Sequence, residues 1–187
     1  MLRIAFMVSI FVFSFISKNH VISKYDTYLV RAAIFFALFA DCFLIINDVY
    51  EIYPIGILSF CVCHLLNYFR FTDKKTFIRS APILPVIFLL LPSSLLDLVT
   101  RVSIIFILCL LLASYGAIRA FKNKKYPSPN SYFIVLAMLF FFIADINVLL
   151  YNMEPLFDYR LYTLYGIWIF TLPAHILLNL SRIKLKS

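Results

Sequence analysis

The feature that most constrains this chain is a series of long apolar stretches with almost no charged residues. A helix needs about 20 mainly apolar residues to cross a bilayer. Stretches close to that length cover residues 1–17, 27–47, 52–71, 81–96, 99–121, 131–151 and 161–181. Hydrophobic residues make up 64% of the chain, which excludes a cytosolic enzyme, a secreted disulfide scaffold and a disordered tail. The sequence therefore predicts an all-α polytopic transmembrane bundle of seven helices, with residues 1–187 as a single domain.

Two of the seven stretches are short. The first carries Arg3 and resembles a signal peptide in length, but no small-x-small cleavage site follows it, so we expect a retained helix. The fourth contains Pro82, Pro85 and Pro92, and this predicts a kinked or irregular element.

The charges predict how the bundle is oriented. With seven spans, 14 of the 17 basic residues fall on one side, following the first, third, fifth and seventh helices. Basic residues favour the cytoplasmic side, so we expect the N-terminus outside and the C-terminus inside, in the cell (inner) membrane. This distribution accounts for the net charge of +8 without a nucleic-acid partner.

Two carboxylates remain inside the predicted spans, and such residues point to function. Asp41 follows Thr27 by 14 residues, and Asp145 follows Ser131 by the same number. At 1.5 Å per residue each lies about 20 Å from the inner edge. This matched depth predicts that the two aspartates act together.

Other polar residues accompany the aspartates. His64 and His175 lie in the helix that follows each Asp helix, although deeper, and Tyr68 shares a helix face with His64. Further candidates for a polar cavity are Asn47, Asn147, Asn152, Ser114 and Tyr115. The similar order of Asp and His predicts a 3+1+3 parallel repeat, with the Pro-rich fourth helix as its connector. An interhelical hydrogen bond is the alternative interpretation for each of these side chains.

A metal ion held by the aspartates and histidines is chemically conceivable, but no local ligand spacing supports it and the depths differ. Cys42, Cys61, Cys63 and Cys109 all lie inside spans and do not form a secretory disulfide pattern. We therefore expect no metal and no cofactor.

Two short motifs resemble the YhhN family of small multi-pass membrane proteins. The family pairs a small residue followed by Asp with a helix of the form Phe-x-x-x-His-x-x-x-Tyr. Here Ala40-Asp41 is followed by Phe60 to Tyr68 around His64, and the second step is Ala144-Asp145. Alanine replaces the usual Gly and Ser before the two aspartates. The resemblance covers roughly residues 30–180.

The resemblance implies a lysoplasmalogenase, which hydrolyses the vinyl ether of a single-chain ether phospholipid to a fatty aldehyde and a glycerophospho-alcohol. It implies that Asp41 and Asp145 are the catalytic pair, one donating a proton and the other stabilising the cation. His64 and Tyr68 would orient the pair or hold the headgroup. The residues leave open which aspartate is the acid, and the oligomeric state.

Two other functions fit the same residues. Intramembrane aspartates in like-oriented repeats also serve proton-coupled transporters. A membrane sensor that binds a lipid or small amphiphile is the remaining alternative. Consumption of lipid in detergent distinguishes a hydrolase, because transport needs two compartments.

Overall fold

The structure, a computed structural model, describes residues 2–16, 21–46, 52–151 and 159–184. Within these ranges the chain forms helices and no strand. The helices are α1 (Leu2–Ile16), α2 (Lys24–Ile46), α3 (Tyr53–Phe71), α4 (Lys74–Ser80), α5 (Ile83–Leu90), α6 (Leu98–Lys122), α7 (Asn130–Tyr151) and α8 (Arg160–Leu180).

Five of these helices, α2, α3, α6, α7 and α8, are long and apolar enough to cross a membrane. The apolar helix α1 has 15 residues, or about 22 Å of helix, and is short as expected. The predicted polytopic helical membrane bundle is therefore confirmed. The end of the bundle marked by Phe71, Lys122 and Leu180 is called the basic end, and the end marked by Tyr53 and Leu98 the acidic end.

The fourth predicted span is irregular as expected, but it is wrong as a single helix over 81–96. The chain instead forms α4 and α5, separated at Ala81 and Pro82. Pro85 falls in the first turn of α5, where its missing N–H costs no intrahelical bond. Leu91 is extended (φ −67°, ψ 124°) because the following Pro92 disfavours helical geometry at that position.

The helix α6 runs parallel to α3. Near the acidic end the Phe60 and Phe106 rings are 6.2 Å apart. Near the basic end a Cβ added to Gly116 would lie 3.0 Å from Tyr68 Cδ2, so the glycine lets the two helices approach. Because α3 and α6 both run from the acidic end to the basic end, the chain between them must return from the basic to the acidic end. The pair α4–α5 therefore supplies the fourth crossing.

The contacts between helices fall into two groups of three. The units α1–α3 and α6–α8 each pack internally, α3 packs on α6, and α8 packs on α1. A two-fold relation between the units would produce this pair of contacts. The interfaces are closed by alanines with no exposed surface, namely Ala37, Ala40, Ala113, Ala137 and Ala174, because small residues allow close helix approach without a hydrophobic driving force.

Candidate functional site

Asp41 forms a buried ion pair with Arg3 toward the acidic end. The Asp41 side chain is 1% exposed and that of Arg3 12%. Arg3 Nε donates to Asp41 Oδ2 at 3.1 Å, and Nη2 donates to Oδ1. Such bidentate hydrogen bonding, called an arginine fork below, is the strong arrangement for an arginine and a carboxylate. It joins the first turn of α1 to the last two turns of α2.

Asp145 on α7 lies in a different environment. Its Oδ2 atom is buried and has no hydrogen-bond partner among the residues that the structure describes. The positive charge of Arg3 acts on Asp145 as well as on Asp41. Among the described residues, Arg3 thus donates hydrogen bonds to Asp41, whereas it acts on Asp145 through its charge.

The two histidines flank one aromatic ring. Phe141, one helical turn before Asp145, lies 5.3 Å from the His64 ring and 4.9 Å from the His175 ring, centroid to centroid. Both histidines are 1% exposed, and within the described ranges His64 Nδ1 and His175 Nε2 lack hydrogen-bond partners. Arg3 also acts electrostatically on His175. These ring contacts join α3, α7 and α8 about one helical turn from Asp145, toward the basic end.

The chemistry of this cluster is that of acid, base and ion pair. In the described part of the chain, no group of three or more His, Cys, Asp or Glu side chains could hold a metal ion. What the cluster offers is one cation, two carboxyl groups and two imidazoles with free nitrogen atoms.

Tyr68 lies near the basic end instead of beside the aspartates. Its hydroxyl is 2.7 Å from Ser80 Oγ at the end of α4, and its ring packs on Phe77. The structure therefore links Tyr68 to the fourth crossing. The helix face that Tyr68 shares with His64 therefore does not bring Tyr68 to Asp41.

Tyr115 lies on the outside of α6 and is 58% exposed. Together with Leu84, Ile87, Leu108 and Leu112 it lines an apolar groove of about 290 Å³ between α5 and α6. The adjacent Ser114 Oγ is buried without a partner in the described residues. The structure thus places Tyr115 at an apolar groove on the outer surface of the bundle.

Asn147 lies half a turn beyond Asp145, at the interface of α7 and α8. Its Nδ2 donates to the Ile143 carbonyl at 2.8 Å, and a Cβ added to Gly166 would collide with its amide. The amide therefore fills the space that the glycine leaves. Asn47 and Asn152, the other predicted mouth residues, lie outside the described residues.

A second buried network closes the basic end and is formed by Asp26, Arg70, Tyr126 and Ser181. Arg70 donates Nε to Asp26 Oδ1 at 2.8 Å, and Nη2 to Asp26 Oδ2 and to Ser181 Oγ, both at 2.9 Å. Tyr126 donates its hydroxyl to Asp26 Oδ1 at 2.7 Å. Burial raises the pKa of Tyr126, so the hydroxyl keeps its proton at neutral pH. This basic-end network ties α2, α3 and α8 together.

The comparison with known families decides what the chain is related to. The YhhN family model matches residues 1–181. The chain belongs to the YhhN family. No curated protein and no solved structure matches it. The match to the YhhN family begins earlier than the predicted residue 30, and it therefore includes α1 and Arg3.

Arg3 is the residue of this YhhN protein's cluster that the sequence reasoning missed. It lies near the start of an apolar stretch, where a cation ordinarily extends to the membrane surface. The signal that identifies it is antiparallel register: α1 and α2 also meet where Arg31 donates to the Ser14 carbonyl at 2.8 Å. That register brings the start of α1 beside Asp41. Asp26 was missed too, because it precedes the predicted second span.

Proposed function

We propose that this YhhN protein is a membrane hydrolase that cleaves the vinyl ether of lysoplasmalogen-type lipids. The products are a fatty aldehyde and a glycerophospho-alcohol. One observation carries the proposal: of two intramembrane aspartates under the influence of one arginine, Asp41 is fully paired, whereas Asp145 has a buried, unpartnered oxygen. Carboxyl groups in such different surroundings suit opposite roles in acid catalysis.

The reaction needs an acid first. A proton is transferred to the β-carbon of the vinyl ether, and the π electron pair forms the new C–H bond. The ether oxygen stabilises the resulting cation at the α-carbon, where water then adds and loses a proton. The hemiacetal breaks into aldehyde and alcohol. A carboxyl group that keeps its proton near neutral pH can start this sequence.

Asp145 is the proposed acid. A charged carboxylate oxygen that is buried without a donor is costly inside a membrane protein, and the buried Oδ2 atom of Asp145 therefore suits a carboxyl group that carries the proton. After donation, water that adds to the α-carbon returns a proton to Asp145. The acid is thereby regenerated in each cycle.

Asp41 is the proposed carboxylate partner. Its bonds to the Arg3 guanidinium favour the ionised form. A carboxylate beside the reacting carbon would stabilise the oxocarbenium-like cation and direct water, as the paired carboxylates of glycoside hydrolases do. His64 and His175, with free ring nitrogens, would bind the glycerol hydroxyl or the headgroup, and the apolar tail would lie between helices.

The first test replaces each aspartate by asparagine in purified protein. We expect D145N and D41N to lower aldehyde release from a lysoplasmalogen by about 100- to 10,000-fold, the usual contribution of an acid or base. Asp97, which caps α6 at the acidic end through a bond to Thr100 N of 2.8 Å, supplies the control. D97N keeps a capping side chain and should leave the rate unchanged.

Full activity in either aspartate variant would contradict the mechanism. A wild-type protein that releases no aldehyde from any lysoplasmalogen in detergent would overturn the substrate, and transport of a solute across vesicles would then support the transporter alternative.

A further inference from the structure

We infer that Arg3 is a positioning residue of the active site, which holds Asp41 in its ionised role and offsets the charge that forms on Asp145. This inference rests on the proposed function. It adds to it a residue from α1, a helix that carries neither aspartate.

Arg3 is held in place by contacts that do not involve the aspartates. Asn179 Nδ2 donates to the Ile10 carbonyl at 3.1 Å, which fixes α1 on α8. Arg31 Nη2 donates to the Ser14 carbonyl, which fixes α1 on α2. Met7 is completely buried in an apolar cluster with Val30 and Ile34 of α2. These contacts fix the position of α1, and with it the position of the Arg3 guanidinium relative to Asp41.

The charges of the cluster balance only when one carboxyl group is neutral. Arg3 contributes one positive charge, and Asp41 contributes one negative charge. When Asp145 gives its proton to the lipid, a carboxylate forms within the field of Arg3, while the positive charge moves onto the substrate. Both charges that arise in this step thus have an opposite charge nearby, and the net charge of protein and lipid is unchanged.

The position of Arg3 also makes the two aspartates different, so that one can act as the carboxylate and the other as the acid. The fork occupies both Asp41 oxygens, which disfavours Asp41 as a proton donor. Asp145 receives only the long-range effect of the same cation. The geometry of Arg3 therefore favours Asp41 as the carboxylate and Asp145 as the acid.

The test measures kcat and KM for aldehyde release by R3Q, R3K and the double variant R3Q/D41N. We expect R3Q to lower kcat by about 100-fold, as misplacement of a catalytic group does, with a change in KM below about threefold. R3K restores the charge without the fork and should recover part of kcat. Because Arg3 acts partly through Asp41, the loss of kcat in R3Q/D41N should be smaller than the product of the two single losses.

Arg101 provides the matched control, because it lies at the acidic end and donates Nη2 to the Phe88 carbonyl at 3.0 Å. R101Q should keep the wild-type kcat. A wild-type kcat in R3Q would overturn the inference, as would a raised KM with unchanged kcat, or independent, multiplying effects of R3Q and D41N. If R3Q does not fold, wild-type kcat in R3K would contradict the need for the fork. A wild type inactive on all lysoplasmalogens removes the proposed function, and the inference with it.

Discussion

At the scale of residues, α2 carries two buried carboxylates, each in an arginine fork. Asp26 meets Arg70 at the basic end, and Asp41 meets Arg3 toward the acidic end. A buried ion pair does not guarantee net stability, but removing one partner leaves an uncompensated charge. The two forks differ mainly in their surroundings: Asp26 also accepts from Tyr126, whereas the charge of the Arg3 that binds Asp41 also acts on Asp145.

Replacing Arg70 by methionine should strongly destabilise the protein. R70M leaves the Asp26 carboxylate buried without its guanidinium, so we expect a loss of about 3–5 kcal/mol in the free energy of unfolding. Thermal unfolding in detergent measures this, with R79Q on the exposed face of α4 as the control. The double variant D26N/R70M should recover part of the loss. Equal stability of R70M and R79Q would contradict a structural role for the network.

Residue chemistry explains which parts of the cluster were predictable. Asp41 and Asp145 could be found because a carboxylate within an apolar stretch is rare and costly. Arg3 could not, since a cation near a helix end ordinarily extends to the membrane surface. Its partner depends on the register of two helices that no local pattern specifies. The positions of Tyr68 and Tyr115 likewise depend on how far each helix rotates.

At the scale of elements, the fourth crossing combines two short helices. The prolines made its irregularity predictable, but Lys74, Lys75 and Arg79 placed residues 74–80 outside any apolar stretch. The helix α4 begins instead with a cap. Asp73 Oδ2 accepts from Thr76 N at 2.8 Å, and Oδ1 accepts from Thr76 Oγ1 at 2.7 Å.

The capping of α4 should depend on pH. The bonds from Thr76 hold the pKa of Asp73 below its usual value. The carboxylate therefore stabilises α4 fully above the usual value, and this contribution is lost as the pH falls through the lowered pKa. We expect D73A to speed amide exchange in residues 74–80 at neutral pH. D73N, which still caps, should show a smaller change.

Hydrogen exchange of the wild type and D73N across the acidic range completes this test. The advantage of the wild type over D73N should disappear on acidification. An advantage that persists at the lowest pH would contradict the role of the charge.

At the scale of the whole molecule, the orientation in the membrane remains a prediction from the charges. The parallel course of α3 and α6 means that Ser94, between α5 and α6, and Lys122, at the end of α6, lie at opposite ends of the bundle. Both side chains are exposed. The prediction places Ser94 outside the cell and Lys122 in the cytoplasm.

Labelling with a membrane-impermeant thiol reagent tests this orientation. We expect S94C to react in intact cells and K122C to react only after the membrane is opened. The unmodified chain is the control for its own cysteines, of which Cys61, Cys63 and Cys109 are buried. The reverse labelling pattern would contradict the predicted orientation and show that the opposite end of the bundle faces the cytoplasm.

The two arginine forks on α2 constrain the length of that helix. Asp26 and Asp41 lie on the same helix, and each is bound by an arginine from a different helix. One residue inserted between them would turn one carboxylate by about 100° relative to the other, so α2 could not then satisfy both arginines.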